Sequence, residues 1–184
     1  MDKRLFVVDN FYSNPDDVRA FAMGVEYEGS SQWYKGKRSK EQYNFPGIQE
    51  SFEDIMNRKL KPLNEHGMCG RFQFLTAQDP LVYHYDTQQW AAMIYLTPDP
   101  PPGSGTSLYR SKITGARRLE DPRIDESFPR GFYDSSQFEL IDSIGNIYNR
   151  VCIMDARCIH SASMYFGNND DNSRLTHLFF FDHA

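Results

Sequence analysis

Beyond Gly70 the chain breaks into brief runs of strand-forming residues, and this feature most limits what it can fold into. The runs are Arg71–Ala77, Leu81–His84, Ala91–Thr97, Thr106–Arg110, Arg150–Met154 and Arg174–Phe181. Turn-forming stretches separate them, among them Pro-Asp-Pro-Pro-Pro-Gly at 98–103 and Gly-Asn-Asn-Asp-Asp-Asn at 167–172. Many short strands set between such turns predict a jelly-roll or barrel-like β core, in which one layer of strands covers another.

Ahead of Gly70 the pattern differs. Leu5–Val8 reads as a short strand. The segment Ser13-Asn14-Pro15-Asp16-Asp17 has the polar cap, early proline and first-turn acids of a helix start, and predicts a helix to about Met23. Residues 30–48 are polar and carry Gly36, Pro46 and Gly47, so they read as a long surface loop. Phe52, Ile55, Met56 and Leu60 then repeat at helical spacing and predict a second helix from Ile48 to about Leu63. The expected class is α+β, a β core buttressed by N-terminal helices. At 184 residues the chain fits one domain, 1–184, with a helical buttress over 1–69 and the β core over 70–184. Residues 112–140 are charged and weakly periodic, and read as an insertion with one short helix.

The net charge of -5 gives no electrostatic case for nucleic acid or an anionic membrane. No stretch approaches membrane-spanning length, and Leu5–Val8 is too short an apolar run for a signal peptide. Cys69, Cys152 and Cys158 are odd in number and lack CxxC spacing, which reads as buried, reduced thiols in a cytoplasmic protein.

The chemistry-bearing residues are few. His84 and Asp86 are two apart, so on a strand their side chains share one face and can reach one metal ion. His160 follows the apolar run at 151–154. Two imidazoles and one carboxylate are the set that holds a non-haem Fe(II) on one face and leaves the other open, although Zn(II) accepts the same donors. Taken singly, His84 reads first as a hydrogen-bonded surface or core histidine, and the structural alternative for His160 is a satisfied core histidine. On the strand at 174–181, Arg174, Thr176, Leu178 and Phe180 share a face and His177 lies on the other. An arginine among apolar neighbours is costly to bury unpaired, so Arg174 calls for an anion from the protein or from a ligand. Lys35-Gly-Lys-Arg-Ser-Lys40, beside Trp33-Tyr34, reads as a solvated loop, with a phosphate grip or a lid as the functional alternative. Tyr83, Tyr85, Gln88, Trp90 and Arg110 lie near the site in sequence and read as structural first. His183 reads as solvent-exposed.

The ordered set His84-Tyr85-Asp86, His160 and Arg174-Leu175-Thr176 resembles the motif of the Fe(II)/2-oxoglutarate-dependent oxygenases, on the prolyl-hydroxylase-like side. Ala92–Leu96 looks like the strand following H-x-D in that family, and Gly103–Tyr109 like its glycine-rich turn into the next strand. The N-terminal stretches 8–22 and 34–39 look like the opening of its small members, so the resemblance spans nearly the whole chain. It implies a double-stranded β-helix (jelly-roll) with Fe(II) held by His84, Asp86 and His160. It further implies that Arg174 pairs with the distal carboxylate of 2-oxoglutarate, with a hydroxyl from Thr176 or Tyr95. O2 would be the second co-substrate, and hydroxylation of a C–H bond in a peptide or small molecule the outcome. The family often leads into its second histidine with proline or serine. Here Asp155-Ala-Arg-Cys-Ile159 stands there, which makes Asp155 a rival ligand or a structural acid.

Two other readings compete. A non-catalytic, cupin-like module would bind metal or ligand without oxidising it. A zinc hydrolase would need a general base, and only Asp155 or His177 is at hand in sequence.

Overall fold

The computed structural model describes residues 3–32 and 34–184; Trp33 therefore lies outside the described residues. Among the described residues, ten strands form two antiparallel sheets. The larger contains β1 (Leu5–Val8), β2 (Tyr27–Glu28), β3 (Lys37–Ser39), β4 (Arg71–Leu75), β5 (Trp90–Tyr95), β8 (Val151–Asp155) and β10 (Arg174–Phe181), in the order β1-β8-β5-β10-β4-β3-β2. The smaller contains β6 (Thr106–Ser111), β7 (Phe138–Ile144) and β9 (His160–Ala162), in the order β7-β6-β9. Helices α1 (Pro15–Gly24) and α2 (Ile48–Met56) precede the main strands. Two largely antiparallel sheets with two helices make a jelly-roll-like architecture.

Alternation along the strands divides the core. One face of the large sheet carries Phe72, Phe74, Ala92, Ile94, Val151, Ile153, Leu175 and Phe179, clustered with Val18 and Ala22 of α1 and Phe52 and Met56 of α2. Phe52 is fully buried, 5.1 Å from the Phe179 ring and 5.4 Å from Phe181. Truncating such a side chain to alanine costs about 3–5 kcal/mol. The other face carries Ala91, Met93, Tyr95, Cys152, Met154 and Leu178, and meets Leu108 of β6 and Ile144 of β7. Arg174 and Thr176 of β10 share this second face with Leu178, and His160 stands on β9 of the smaller sheet.

Several sequence expectations are corrected. The second helix ends at Met56 rather than near Leu63, because Asn57 adopts left-handed backbone (φ 52°) and caps it by donating to the Asp54 and Glu53 carbonyls. Leu60 still enters the core, from extended chain that bridges to His183. Residues 30–48 are not all surface loop: Lys37–Ser39 is β3, with Arg38 and Ser39 buried. Leu81–His84 is not a strand. This segment crosses between the sheets and pairs only at His84. The last residues assigned to the insertion are β7, whose exposed Glu139 and Asp142 obscured its strand pattern. The loop before it holds two short 3-10 turns, Ile124–Ser127 and Ser135–Gln137, instead of one helix. No helix among the described residues is long and apolar enough to cross a membrane.

Candidate metal centre

His84 and His160 face each other across a two-residue bridge. The His84 N–H donates to the His160 carbonyl (3.1 Å) and the His160 N–H to the His84 carbonyl (2.8 Å). Their rings are consequently adjacent, with centroids 4.3 Å apart. Asp86, two residues on, is tied by its N–H to the Ala156 carbonyl (2.8 Å). This places Asp86 Oδ1 3.6 Å from His84 Nε2 and Asp86 Oδ2 3.7 Å from His160 Nε2. One donor atom from each of the three residues lies within 4.8 Å of the others, a spacing that one ion can bridge.

The second contacts of the rings suit metal binding. His84 Nδ1 lies 3.0 Å from the Val82 carbonyl and His160 Nδ1 2.9 Å from the Cys158 carbonyl. A carbonyl can only accept, so each Nδ1 carries the proton and each Nε2 presents its lone pair to the shared space. Burial, reinforced by the neighbouring His84 ring, pushes the His160 pKa down to about 4, which keeps that ring neutral. Asp86 Oδ2 is buried with no hydrogen-bond partner. An orphaned carboxylate oxygen is costly unless a cation meets it, so the residues present fit a divalent ion. The His84 side chain is 39% exposed and that of His160 8%, so the opening to solvent is on the His84 side.

Arg174 lies on the cavity face of β10 and is almost fully buried. Its Nε donates to the Ser104 carbonyl (3.2 Å) and Nη2 to the Gly105 carbonyl (3.5 Å). Its guanidinium carbon lies 5.3 Å from the Tyr95 ring centre and 5.8 Å from that of Tyr165. Among the described residues no carboxylate pairs with Arg174. Gly105 is required where it stands, because a Cβ there would come within 1.8 Å of the Ile144 carbonyl. Thr176, on the same face, is fully buried with Oγ1 unpartnered. The Tyr95 hydroxyl is already engaged with Thr106 Oγ1 at 2.8 Å. Of the two hydroxyls expected there, that of Thr176 is the one without a partner.

The rival residues are occupied elsewhere. Asp155 is buried and bound by Arg157 (Nε, 2.9 Å) and Arg118 (Nη2, 3.3 Å), so it is the structural acid and no metal ligand. His177 is on the opposite face, between the Tyr12 hydroxyl (2.7 Å) and the Gly70 carbonyl (3.2 Å), and stacks on Phe72. His183 is not solvent-exposed as expected: its Nε2 accepts from Trp90 Nε1 at 3.0 Å. Tyr83 stacks on Phe138, Tyr85 reaches Asp125, and Arg110 pairs with Glu139 at the surface. Two residues near the site, His66 and Tyr165, carried no signal recognised in the sequence, and Arg38 stood only within the 35–40 run read first as a solvated loop. All three are within electrostatic range of the site's charged groups Asp86 or Arg174. A cavity of about 440 Å³ lies between α1 and α2, and none of His84, Asp86, His160 and Arg174 lines it.

The double sheet with two histidines and an aspartate between its layers has the fold of the Fe/2-oxoglutarate-dependent oxygenases. HygX from Streptomyces hygroscopicus, solved with nickel, 2-oxoglutarate and hygromycin B bound, is 11% identical with a TM-score of 0.59, over 98% of this chain and 83% of that one. The 2-oxoglutarate-dependent epimerase SnoN from nogalamycin biosynthesis is 17% identical with a TM-score of 0.60, over 98% and 78%. A Trichoplax adhaerens prolyl hydroxylase, in complex with a hypoxia-inducible-factor peptide, is 12% identical with a TM-score of 0.55, over 97% and 83%. The chain itself belongs to DUF6445, a family of unknown function whose profile matches residues 1–181. No curated protein sequence matches it.

Proposed function

We propose that this chain is an Fe(II)- and 2-oxoglutarate-dependent oxygenase that oxidises a C–H bond of a small-molecule or peptide substrate. His84, Asp86 and His160 would hold the metal. When bound, the ion supplies the redox chemistry that couples O2 and the oxidative decarboxylation of 2-oxoglutarate to substrate oxidation, which no side chain here can perform. The chain's own residues do the rest. Arg174 neutralises the distal carboxylate of 2-oxoglutarate, and Thr176 Oγ1 adds a hydrogen bond to it. Tyr95 walls the pocket and presents its ring to Arg174. The two sheets exclude water from the reacting space, and α1 and α2 act as the buttress that keeps the large sheet rigid.

The observation that carries this reading is Arg174, a buried guanidinium on the same side of the sheet as a two-histidine, one-carboxylate cluster, with no carboxylate among the described residues to neutralise it. A cupin-like binding module has no use for such a clamp next to its metal. A hydrolase would need a free general base, whereas Asp155 is held by two arginines and His177 faces the other way.

The test is anaerobic titration of the Fe(II)-loaded protein with 2-oxoglutarate, read by the weak visible charge-transfer band of a metal-chelated keto acid. The band should form in the wild type, vanish in His160→Ala, and need at least tenfold more 2-oxoglutarate in Arg174→Gln, the loss of a charge-assisted pair. Absence of both the band and calorimetric binding would overturn the proposal.

A further inference from the structure

A second buried arginine shares the cavity. Arg38 of β3 is only 8% exposed, yet none of the described carboxylates pairs with it. Its guanidinium lies over the Tyr34 ring, with its carbon 4.4 Å from the centroid. Nη2 donates to Gln73 Oε1 at 3.3 Å, and Nε is buried without a partner. The Gln73 amide cannot turn away, because its Nε2 donates to the Lys35 carbonyl at 2.7 Å. One neutral acceptor is poor compensation for a desolvated guanidinium, and burial pushes its pKa down to about 10.

Register aims this residue at the site. Arg38 pairs with Gln73, Gln73 with Thr176, and Thr176 with Tyr95, so one polar row crosses β3, β4, β10 and β5 on the cavity face. Asp86 and Tyr165 both act electrostatically on Arg38, and Tyr165 also borders Arg174. Arg174 sits two residues along β10 from this row. Its strand is separated from that of Arg38 by β4, about 10 Å across the sheet. The two arginines start from different strands and different positions along the sheet, so each can take a carboxylate of its own.

We infer that Arg38 is a second anion receptor of the same cavity and binds a carboxylate carried by the substrate to be oxidised. This rests on the oxygenase reading, in which 2-oxoglutarate has one free carboxylate and Arg174 takes it. A carboxylate is favoured over a phosphate because the neighbouring cations are already committed: Lys37 to Asp170 (2.9 Å) and Arg71 to Glu28 (3.0 Å). A single guanidinium without a protein carboxylate among the described residues matches a monoanion.

The probes are benzoate and N-acetylglycine, each set against its uncharged amide and against inorganic phosphate. They are titrated into the anaerobic Fe(II)- and 2-oxoglutarate-loaded protein, with the charge-transfer band and calorimetry as readouts. At least one acid should bind and perturb the band, its amide and phosphate should bind at least tenfold more weakly, and Arg38→Gln should weaken the acid by tenfold or more. Affinity for 2-oxoglutarate should stay within twofold in that variant, which also reports its folding, and Arg38→Lys should recover part of the acid binding. No binding of either acid, equal binding of acid and amide, tighter binding of phosphate, or unchanged binding in Arg38→Gln would each overturn the inference. Loss of 2-oxoglutarate binding in Arg38→Gln but not in Arg174→Gln would also overturn it, by making Arg38 the co-substrate anchor. Should the wild type form no band, the oxygenase reading fails by itself. Arg38-dependent binding of acids to the metal-loaded protein, read by calorimetry, then decides the receptor separately.

Discussion

Asp86 Oδ2 and His160 Nε2 stand 3.7 Å apart with no hydrogen bond between them, each buried and each offering a lone pair to the same space. Two acceptors held face to face repel weakly and gain nothing until a cation arrives.

Replacing Asp86 by Ala should weaken Fe(II) binding by at least a hundredfold, an order-of-magnitude figure set by the smaller losses seen when only a supporting partner is removed. The metal-free variant should melt no lower than the wild type, because an unsatisfied buried carboxylate disappears. Calorimetry and thermal unfolding in a chelator read the two effects. Retained Fe(II) affinity would place the site elsewhere.

Asp155→Asn should do the opposite. The change removes the buried carboxylate that Arg118 and Arg157 share and leaves them Glu120 alone, a loss of about 2 kcal/mol. Fe(II) affinity of the folded variant should be within a few-fold of wild type. Urea unfolding and metal titration separate stability from ligation, and a large loss of metal affinity with little loss of stability would restore Asp155 as a ligand.

Acid sensitivity should trace in part to His177. Burial holds its pKa near 3, against about 6.5 for a free imidazole. Between these values the unfolded chain binds a proton that the folded chain refuses, so stability rises with pH and falls on acidification. The contribution is a slope of about 1.4 kcal/mol per pH unit within that window. His177→Gln should flatten the stability profile by that slope between pH 6 and pH 4, about two units inside the window. Parallel profiles for the two proteins would refute the assignment.

Gly105→Ala should cost about 3 kcal/mol, since its Cβ would press on the Ile144 carbonyl. It should also weaken 2-oxoglutarate binding, because the Gly105 carbonyl is one of the two that hold Arg174. Gly103→Ala, where the added carbon meets nothing within 4 Å, is the control and should leave both unchanged.

Local rules explain which parts of this arrangement were legible in the sequence. Strand alternation correctly put Arg174 and Thr176 on one face and His177 on the other, because β10 is regular over eight residues. The i, i+2 spacing brought His84 and Asp86 together although they occupy no strand: the bridge to His160 and the tie to Ala156 impose extended backbone on an irregular segment. Arg38 was read first as part of a solvated loop, and its burial was illegible for a physical reason. Its neighbours Lys35, Lys37 and Lys40 are charged and β3 is three residues long, so its burial is decided by pairing with β4, thirty-odd positions away. His66 likewise reaches the site only because chain folding sets its ring near Phe180.

The bridge between His84 and His160 has one more consequence. Both residues are fixed by their own main chains, and the imidazole tautomers by nearby carbonyls. The donors therefore find their places when the two sheets close, whether or not an ion is there to gather them. On the oxygenase reading, iron would then be a passenger that boards a finished protein through the His84 side. A chelator should strip it, and the same or another divalent ion should return without the chain being remade.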